Sequence, residues 1–436
     1  MVRRILADFG LLLLVVGIPA LLMGDEPSPT AESVNDSEPA PVISDPSELR
    51  FAANSQYIGV PVRTQVAQRF EMYSPRTEEA VKELKKMGFT QVMLDRPNLH
   101  QAATDVGLPF VLAHWWNQDT KPEEITAAVD SAKSVDRSLL IGFSIMDEPE
   151  RNAPDTPFGF YIDVYEKLRP EFQKDLAGTR LEISHWGPLA DWTDQHYEYF
   201  SFLYEAADVM RIMPYPDLGE GPLDDVFFMI RRTQRPMELA GRSLPLVVIL
   251  QTWILPPKNQ LPEIDELRVM TYQAMLSGAE TVSFFDHNPD VWQQKEGFES
   301  GFRDLMREVM AFARRYKDWD VETVMSGDSV LISIMTSPAG QRHRVTINTG
   351  RDAVNDLAAL EVREEALDKS SPFQSGRNYA QQCAPFQTHQ PERVTVRCKP
   401  HSRNRPAANA LRLVDRKLCP THRRAHKKSC RVFGRI

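Results

Sequence analysis

The sequence predicts an α/β protein with a (β/α)8 barrel over residues 51–320. In this range a short apolar run, a polar turn and an amphipathic helical segment recur about every 30 to 40 residues. The apolar runs are nearly continuous, which is typical of strands buried on both faces of a parallel sheet covered by helices. Eight such units in about 270 residues match a closed eight-stranded barrel in number and size.

The chain before the barrel predicts export. Residues 1–24 begin with MVRR and continue as an apolar run interrupted by Gly17 and Pro19, the order of a secretory signal peptide. We therefore expect a secreted or periplasmic protein, with an uncleaved N-terminal anchor as the alternative and no other stable membrane insertion. Residues 25–50 are rich in Ser, Pro, Asp and Glu, and we expect a disordered acidic linker because they offer little apolar surface to bury.

The apolar runs themselves are the predicted barrel strands. They are YIGVPV (57–62), FTQVMLD (89–95), LPFVLAHWW (108–116), LLIGFSIMD (139–147), RLEISHW (180–186), DVMRIMPY (208–215), PLVVILQTW (245–253) and TVSFFDH (281–287). A doubly wound open sheet is the alternative, but no G-x-G-x-x-G follows the first run and the number of units is eight.

Two intervening segments have clear helical signals. RTEEAVKELKKMGF (76–89) carries acids in its first turn, lysines in its last turn and a glycine beyond them. GFRDLMREVMAFARRY (301–316) places its apolar residues on one stripe, which predicts a helix packed on the barrel. That stripe contains Phe302, Leu305, Met306, Val309, Met310 and Ala313.

The chain after the barrel divides into two parts. Residues 321–365 contain two predicted strands, DSVLISIMTS and RHRVTINTG, around a Pro-Ala-Gly turn, and we expect a small β segment. Residues 366–436 carry 16 Lys/Arg against 3 Asp/Glu, all four cysteines and four of the ten histidines. Three interpretations compete for this tail. The cysteines could form two disulfides with three possible pairings, or Cys and His could bind zinc, although no ligand frame is complete. The basic residues could contact an anionic surface or nucleic acid. We expect a mostly disordered tail, assign it no function and do not expect nucleic acid as a partner.

A parallel barrel places its active site at the carboxyl ends of its strands. The candidate residues at these ends are Asp95, His114, Trp115, Trp116, Asp147, Glu148, His185, Trp186, Tyr215, Gln251, Trp253 and Asp286. Apolar ring faces beside carboxylates suit a sugar, which has C–H faces to stack and hydroxyls to hydrogen-bond, so a carbohydrate is the expected ligand. The barrel has no cysteine and no P-loop, dinucleotide, H-x-H or H-E-x-x-H motif, and we expect neither a cofactor nor a metal.

The stretch GFSIMDEPE at the end of the fourth run resembles the NEP stretch of clan A glycoside hydrolases. It is more similar to the DEP variants of family-42-like barrels and of uncharacterised secreted bacterial proteins. The resemblance implies that Glu148 is the general acid/base, which protonates the leaving glycosidic oxygen. Asp147 would help to keep a proton on the pair by like-charge repulsion. Adjacent strand residues point to opposite faces, so this coupling requires the strand to end or bulge there.

The sequence departs from clan A at the seventh strand, where Gln251 stands in place of the nucleophilic glutamate. An amide cannot form the glycosyl-enzyme ester, so the second carboxylate stays open among Asp286, Asp95 and Glu182. Asp286 could instead pair with an arginine, and Glu182 is expected to be a paired group inside the barrel. An N-acetyl group of the substrate is a further candidate nucleophile, with Asp147 orienting it and Tyr215 hydrogen-bonding its oxygen. A carbohydrate-binding barrel without catalysis is the remaining alternative.

Overall fold

The computed structural model describes residues 57–148, 156–185, 206–216, 223–239, 242–254, 260–327, 329–354 and 356–367. They form a closed barrel of eight strands and a five-stranded antiparallel sheet, which confirms the predicted α/β barrel. The predicted signal peptide (1–24), the acidic linker (25–50) and residues 368–436 of the basic tail lie outside the described residues.

Thirteen strands and eight helices are described. The strands are β1 (Val62–Gln65), β2 (Arg69–Tyr73), β3 (Gln91–Leu94), β4 (Phe110–Ala113), β5 (Leu140–Asp147), β6 (Arg180–His185), β7 (Val209–Ile212), β8 (Leu246–Gln251), β9 (Thr281–Phe285), β10 (Asp320–Ser326), β11 (Val330–Thr336), β12 (Arg342–Asn348) and β13 (Val362–Leu367). The helices are α1 (Glu78–Met87), α2 (His100–Asp105), α3 (Pro122–Ser134), α4 (Phe158–Asp175), α5 (Asp225–Leu239), α6 (Ile264–Leu276), α7 (Pro289–Trp292) and α8 (Phe298–Arg315).

The barrel consists of β2 to β9 in sequence order, all parallel, and it closes where β9 pairs with β2. Seven of the predicted strands are in place, but the first is wrong. The run at residues 57–62 leads into β1, which pairs antiparallel with β10, and the first barrel strand is RFEMY in β2. The prediction failed because Arg69 and Glu71 interrupt the apolar pattern of β2. Arg69 pairs with Glu280, directly before β9, and Glu71 pairs with Arg211 of β7.

The five-stranded sheet has the order β1-β10-β11-β12-β13. The two strands expected after the barrel are present as β11 and β12. The sheet also contains β1, which precedes the barrel strands in the chain. The chain therefore does not divide at residue 320 into a barrel and a separate sheet.

The helical signals of the sequence are confirmed. Thr77 begins α1, with its Oγ1 accepting a hydrogen bond from the Ala80 N–H at 3.1 Å, and Gly88 ends the helix in the left-handed conformation at φ 96°. The apolar stripe of α8 is buried. None of the described helices combines the length and the apolar character needed to cross a membrane.

Alternation along the strands produces two separate apolar clusters. One fills the space between barrel and helices, and the smaller one lies inside the barrel. The interior cluster contains Tyr73, Met93, Val111, Ala113, Val209, Met213, Val247 and Ile249. Every second residue of a strand therefore faces the interior, and continuing this alternation indicates which residue beyond the strand end faces the mouth of the barrel.

A charged cluster lies beside these apolar residues. Arg211 of β7 is fully buried and pairs with Glu71 of β2 and with Glu182 of β6, the latter at 2.6 Å. Gln91 and Ser283 each donate a further hydrogen bond of 2.8 Å to Glu71. Glu182 is thus a paired group inside the barrel, which leaves it unsuited to the role of second catalytic carboxylate.

Candidate active site

The fourth barrel strand, β5, is irregular before it reaches its end. Its pairing with β4 shifts register between Phe110 and Val111, and its pairing with β6 shifts between Ser144 and Met146. The second shift leaves Ile145 as an extra residue in β5, a bulge two residues before Asp147. In the ladder the Asp147 backbone then lies opposite Ser184. The Asp147 side chain lies outside the described part of the chain.

Glu148 follows directly after β5 in the left-handed conformation, with φ 43°. Its N–H still donates to the Ser184 carbonyl at 2.9 Å, so the position of Glu148 is tied to the neighbouring strand. A non-glycine residue in this conformation costs about 1 to 2 kcal/mol and is concentrated at functional sites. The residue is 7% exposed, so its side chain is buried at this end of the barrel.

Asp286 stands at the end of β9, and β9 lies directly across the ring from β5. It is 3% exposed, and its Oδ2 lies 3.4 Å from Nη2 of Arg76. Burial raises the pKa of Asp286 to about 6; the Arg76 guanidinium lowers this pKa and the Asp95 carboxylate raises it. Oδ1 of Asp286 and Oδ1 of Asp95 are both buried and have no hydrogen-bond partner among the described residues. Among the described residues, these two acceptors at the mouth therefore have no donor.

An aromatic wall stands beside these carboxylates. The Arg76 guanidinium carbon lies 5.5 Å from the centroid of the Trp253 ring, and the Trp253 ring meets the Phe285 ring edge-on at 6.5 Å. Gln251 is buried and donates from Nε2 to the Trp253 carbonyl at 2.8 Å. Gln251 therefore fixes the position of Trp253, and the arrangement joins an indole face to two carboxylates.

The candidates His114, Trp115 and Trp116 follow β4, the third barrel strand, and their side chains lie on different sides of it. Trp115 continues the inward alternation of Val111 and Ala113 and is 58% exposed. His114 packs in the layer between barrel and helices, where its ring lies 4.6 Å from that of Phe143 and 5.4 Å from that of Trp116. Burial lowers the pKa of His114 to about 4. The structure thus places Trp115 at the mouth and the two residues on either side of it in the outer core.

Of the remaining candidates, Tyr215 packs against the interior cluster near the mouth. His185 is fully buried at the register position of Ile212, a residue of the outer core, and burial lowers the pKa of His185 to about 3. Trp186, and Trp192 after it, lie outside the described residues. Among the described residues, no group of His, Cys, Asp and Glu is arranged to hold a metal ion.

Sequence reasoning missed Arg76, the cation of the site. It follows β2, the strand that was assigned wrongly, and so it did not count as a strand-end residue. The residues SPR (74–76), directly after a strand at residues 69–73, are the signal that would have found it.

No protein-family model and no curated protein matches the sequence. Solved structures do match. A glycoside hydrolase family 17 β-1,3-glucanosyltransferase from Rhizomucor miehei is 10% identical, over 51% of this chain and 89% of that chain, with a TM-score of 0.40. A GH128 endo-β-1,3-glucanase from Amycolatopsis mediterranei, solved with laminaritriose, is 12% identical over 55% and 100%, with a TM-score of 0.40. A GH51 arabinofuranosidase from Xanthomonas axonopodis pv. citri is 14% identical over 68% and 84%, with the same score.

The three matched proteins are glycoside hydrolase-family enzymes. At such identities and scores they carry no argument about chemistry. The choice of catalytic residues therefore depends on the geometry of the strand ends.

Proposed function

We propose that this chain is a glycoside hydrolase in which Glu148 is the general acid/base. The observation that supports this most directly is the placement of Glu148: buried, left-handed and directly after the end of the fourth barrel strand. In the proposed reaction this carboxyl group protonates the leaving oxygen.

Asp286 is the proposed second carboxyl group. Its pKa of about 6 leaves it largely ionised at neutral pH and matched to a general base. Because β5 and β9 are opposite strands, we propose that a water molecule fits between the sugar and Asp286, the inverting arrangement with carboxyl groups about 6.5 to 9.5 Å apart. Water attacks the anomeric carbon and gives a proton to Asp286, while the glycosidic C–O bond breaks and the leaving oxygen takes the proton of Glu148.

The other residues of the mouth would bind the sugar. Trp115 and Trp253 offer ring faces for its C–H groups, and the unsatisfied oxygens of Asp95 and Asp286 would accept hydrogen bonds from its hydroxyls. Both acceptors are buried, so a sugar lacking the matching hydroxyl would leave them unpaired.

The test is Glu148→Gln measured on a panel of aryl glycosides and oligosaccharides. We expect a loss of about 10²- to 10⁴-fold on substrates with poor leaving groups and a smaller loss on activated aryl glycosides, which need less acid assistance. The matched control is Glu124→Gln, which replaces an exposed carboxylate on α3 and should keep full activity. Unchanged turnover of an oligosaccharide by the Glu148 variant would remove this residue from the role.

A carbohydrate-binding barrel without catalysis is the second candidate, and Gln251 favours it. Its amide occupies the seventh strand end and is used to hold Trp253, so no carboxylate is present there. A sugar that binds to the protein in calorimetry but is not hydrolysed by it under any condition tested would support this alternative. Faster hydrolysis of 2-acetamido glycosides than of the matching glucosides would instead support the mechanism that uses an N-acetyl group of the substrate.

We also propose that the protein acts outside the cytoplasm, because residues 1–24 have the composition of a signal peptide. N-terminal sequencing of the protein recovered from the exported fraction tests this. A protein that stays in the cytoplasm with MVRR intact contradicts export.

A further inference from the structure

A cavity lies at the opposite end of the barrel from the candidate active site. It has a volume of about 500 Å³ and is bordered by the C-terminal half of α5, by β1 and by the amino ends of β8 and β9 at Leu246 and Gly278. Barrel enzymes carry their chemistry at the other end, so this cavity is separate from the proposed hydrolysis site.

The cavity is rich in guanidinium groups. Arg231 and Arg235 of α5, Arg242 and Arg63 all line it, whereas Glu238 is its one acidic lining residue among the described part of the chain. Arg63 is paired with Glu322 at 3.1 Å on the neighbouring sheet, which offsets its charge. Three arginines therefore face one carboxylate.

The contacts of Glu238 show how the charges are divided. Its two oxygens accept from Nη1 of Arg231 at 3.2 Å and from Nη1 of Arg235 at 3.3 Å. Arg231 is 4% exposed and also donates to Oε1 of Gln234 at 2.8 Å. The side chain of Arg242 has no hydrogen-bond or ion-pair partner among the described residues. Among the described lining residues, one carboxylate thus serves two cations and the third has no partner, an excess of about two positive charges.

We propose that this cavity binds a multiply charged oxyanion, phosphate or sulfate, either free or as the ester of a small organic molecule. Guanidinium groups match the geometry of such oxyanions through paired N–H donors. Uncompensated cations that are partly removed from water are unfavourable, and a bound dianion would neutralise them. The volume exceeds that of a bare oxyanion and falls in the range of small-molecule sites, so an ester with its organic part would also fit.

The test is calorimetric titration of the full chain at low ionic strength with inorganic phosphate, inorganic sulfate, glucose 6-phosphate and glucose. We expect saturable binding of the oxyanions at one site and none of glucose. Tighter binding of glucose 6-phosphate than of phosphate indicates an ester as the ligand, and equal affinity indicates the free oxyanion.

Variants tie the binding to this cavity. The double variant R235Q/R242Q should weaken the phosphate Kd by about tenfold or more, as expected for losing charged hydrogen bonds. R235K/R242K keeps the charge without the planar fork and should give an intermediate Kd. R314Q removes one charge from the exposed face of α8 and should leave the Kd unchanged. Any hydrolytic activity should be the same in all three, because the mouth of the barrel is untouched.

Two results would overturn the proposal. One is the absence of saturable oxyanion binding up to roughly 10 mM, where even a weak specific site would be occupied. The other is an R235Q/R242Q protein, folded by circular dichroism, that binds phosphate as tightly as the unchanged chain. Neither result bears on Glu148.

Discussion

The pKa of Asp286 can be moved in either direction by changing one neighbour, and this tests the proposed base directly. Arg76 lowers this pKa and Asp95 raises it, against a background of burial that brings it to about 6. Arg76→Gln should therefore raise the pKa, and Asp95→Asn should lower it. Arg76→Lys keeps the charge and should leave the pKa near its present value.

The size of the Arg76 effect follows from the structure. Nη2 of Arg76 lies 3.4 Å from Oδ2 of Asp286. At that separation the Coulomb energy is about 1 kcal/mol at the dielectric of water and about 5 kcal/mol at an effective dielectric of 20. The Arg76 side chain is 37% exposed, which places the interaction near the water limit, at about 1 to 2 kcal/mol. Since one pKa unit is 1.36 kcal/mol, Arg76→Gln should raise the pKa to about 7.

Two measurements report this shift. Carbon-13 NMR titration of aspartate-labelled protein follows the Asp286 carboxyl group, assigned by its loss in Asp286→Asn. With any hydrolysed glycoside, kcat/KM should fall as the pH drops through about 6, because the base must be ionised, and the Arg76→Gln profile should lose activity about one pH unit higher. An acidic limb unmoved by Arg76→Gln, or moved upward by Asp95→Asn, would refute the assignment of Asp286 as base.

Three further predictions concern stability. Gly142→Ala should destabilise the fold by about 1 to 3 kcal/mol in urea denaturation, because the new Cβ would lie 2.8 Å from Cδ of Glu182. Gly159→Ala is the control: its new Cβ would have no atom within 4 Å, and it should be neutral or slightly stabilising. Arg211→Met should cost about 3 to 5 kcal/mol or prevent folding, since it leaves two buried carboxylates unpaired; an unchanged denaturation midpoint would contradict the buried pairing. Asp286→Asn should increase the free energy of unfolding by up to about 3 kcal/mol at pH 8 and leave it unchanged below pH 4. The reason is that the folded protein holds the Asp286 proton more tightly than the unfolded chain and loses stability as the pH rises through about 6. Measurement of Tm against pH checks the sign.

The fold could be predicted because most barrel strands are apolar on both faces and keep an even spacing. The first strand could not, since the charges of Arg69 and Glu71 are compensated by residues more than a hundred positions away in the chain. Local pattern carries no information about such partners. The error then hid Arg76, which belongs to the end of that strand.

The candidate site was predicted only in part, for a geometric reason. Consecutive residues at a strand end point alternately to the mouth and to the helices. Trp115 reaches the mouth while His114 and Trp116 do not, and counting inward positions from Val111 would have separated them. In β5 the same count fails, because the register shift between Ser144 and Met146 changes the alternation and leaves no mark in the sequence.

Two unfavourable local features lie at the carboxyl end of the barrel. Inside it, Arg211 is matched by Glu71 and Glu182, so its burial is compensated. At the carboxyl end, Glu148 adopts a left-handed backbone and Asp286 keeps a buried carboxyl group whose pKa is raised to about 6 despite the nearby arginine. A protein shaped for stability alone would replace both, and Asp286→Asn should show that gain directly. Glu148 and Asp286 stand on opposite strands of one mouth, and this is the strongest physical reason to propose the chemistry there.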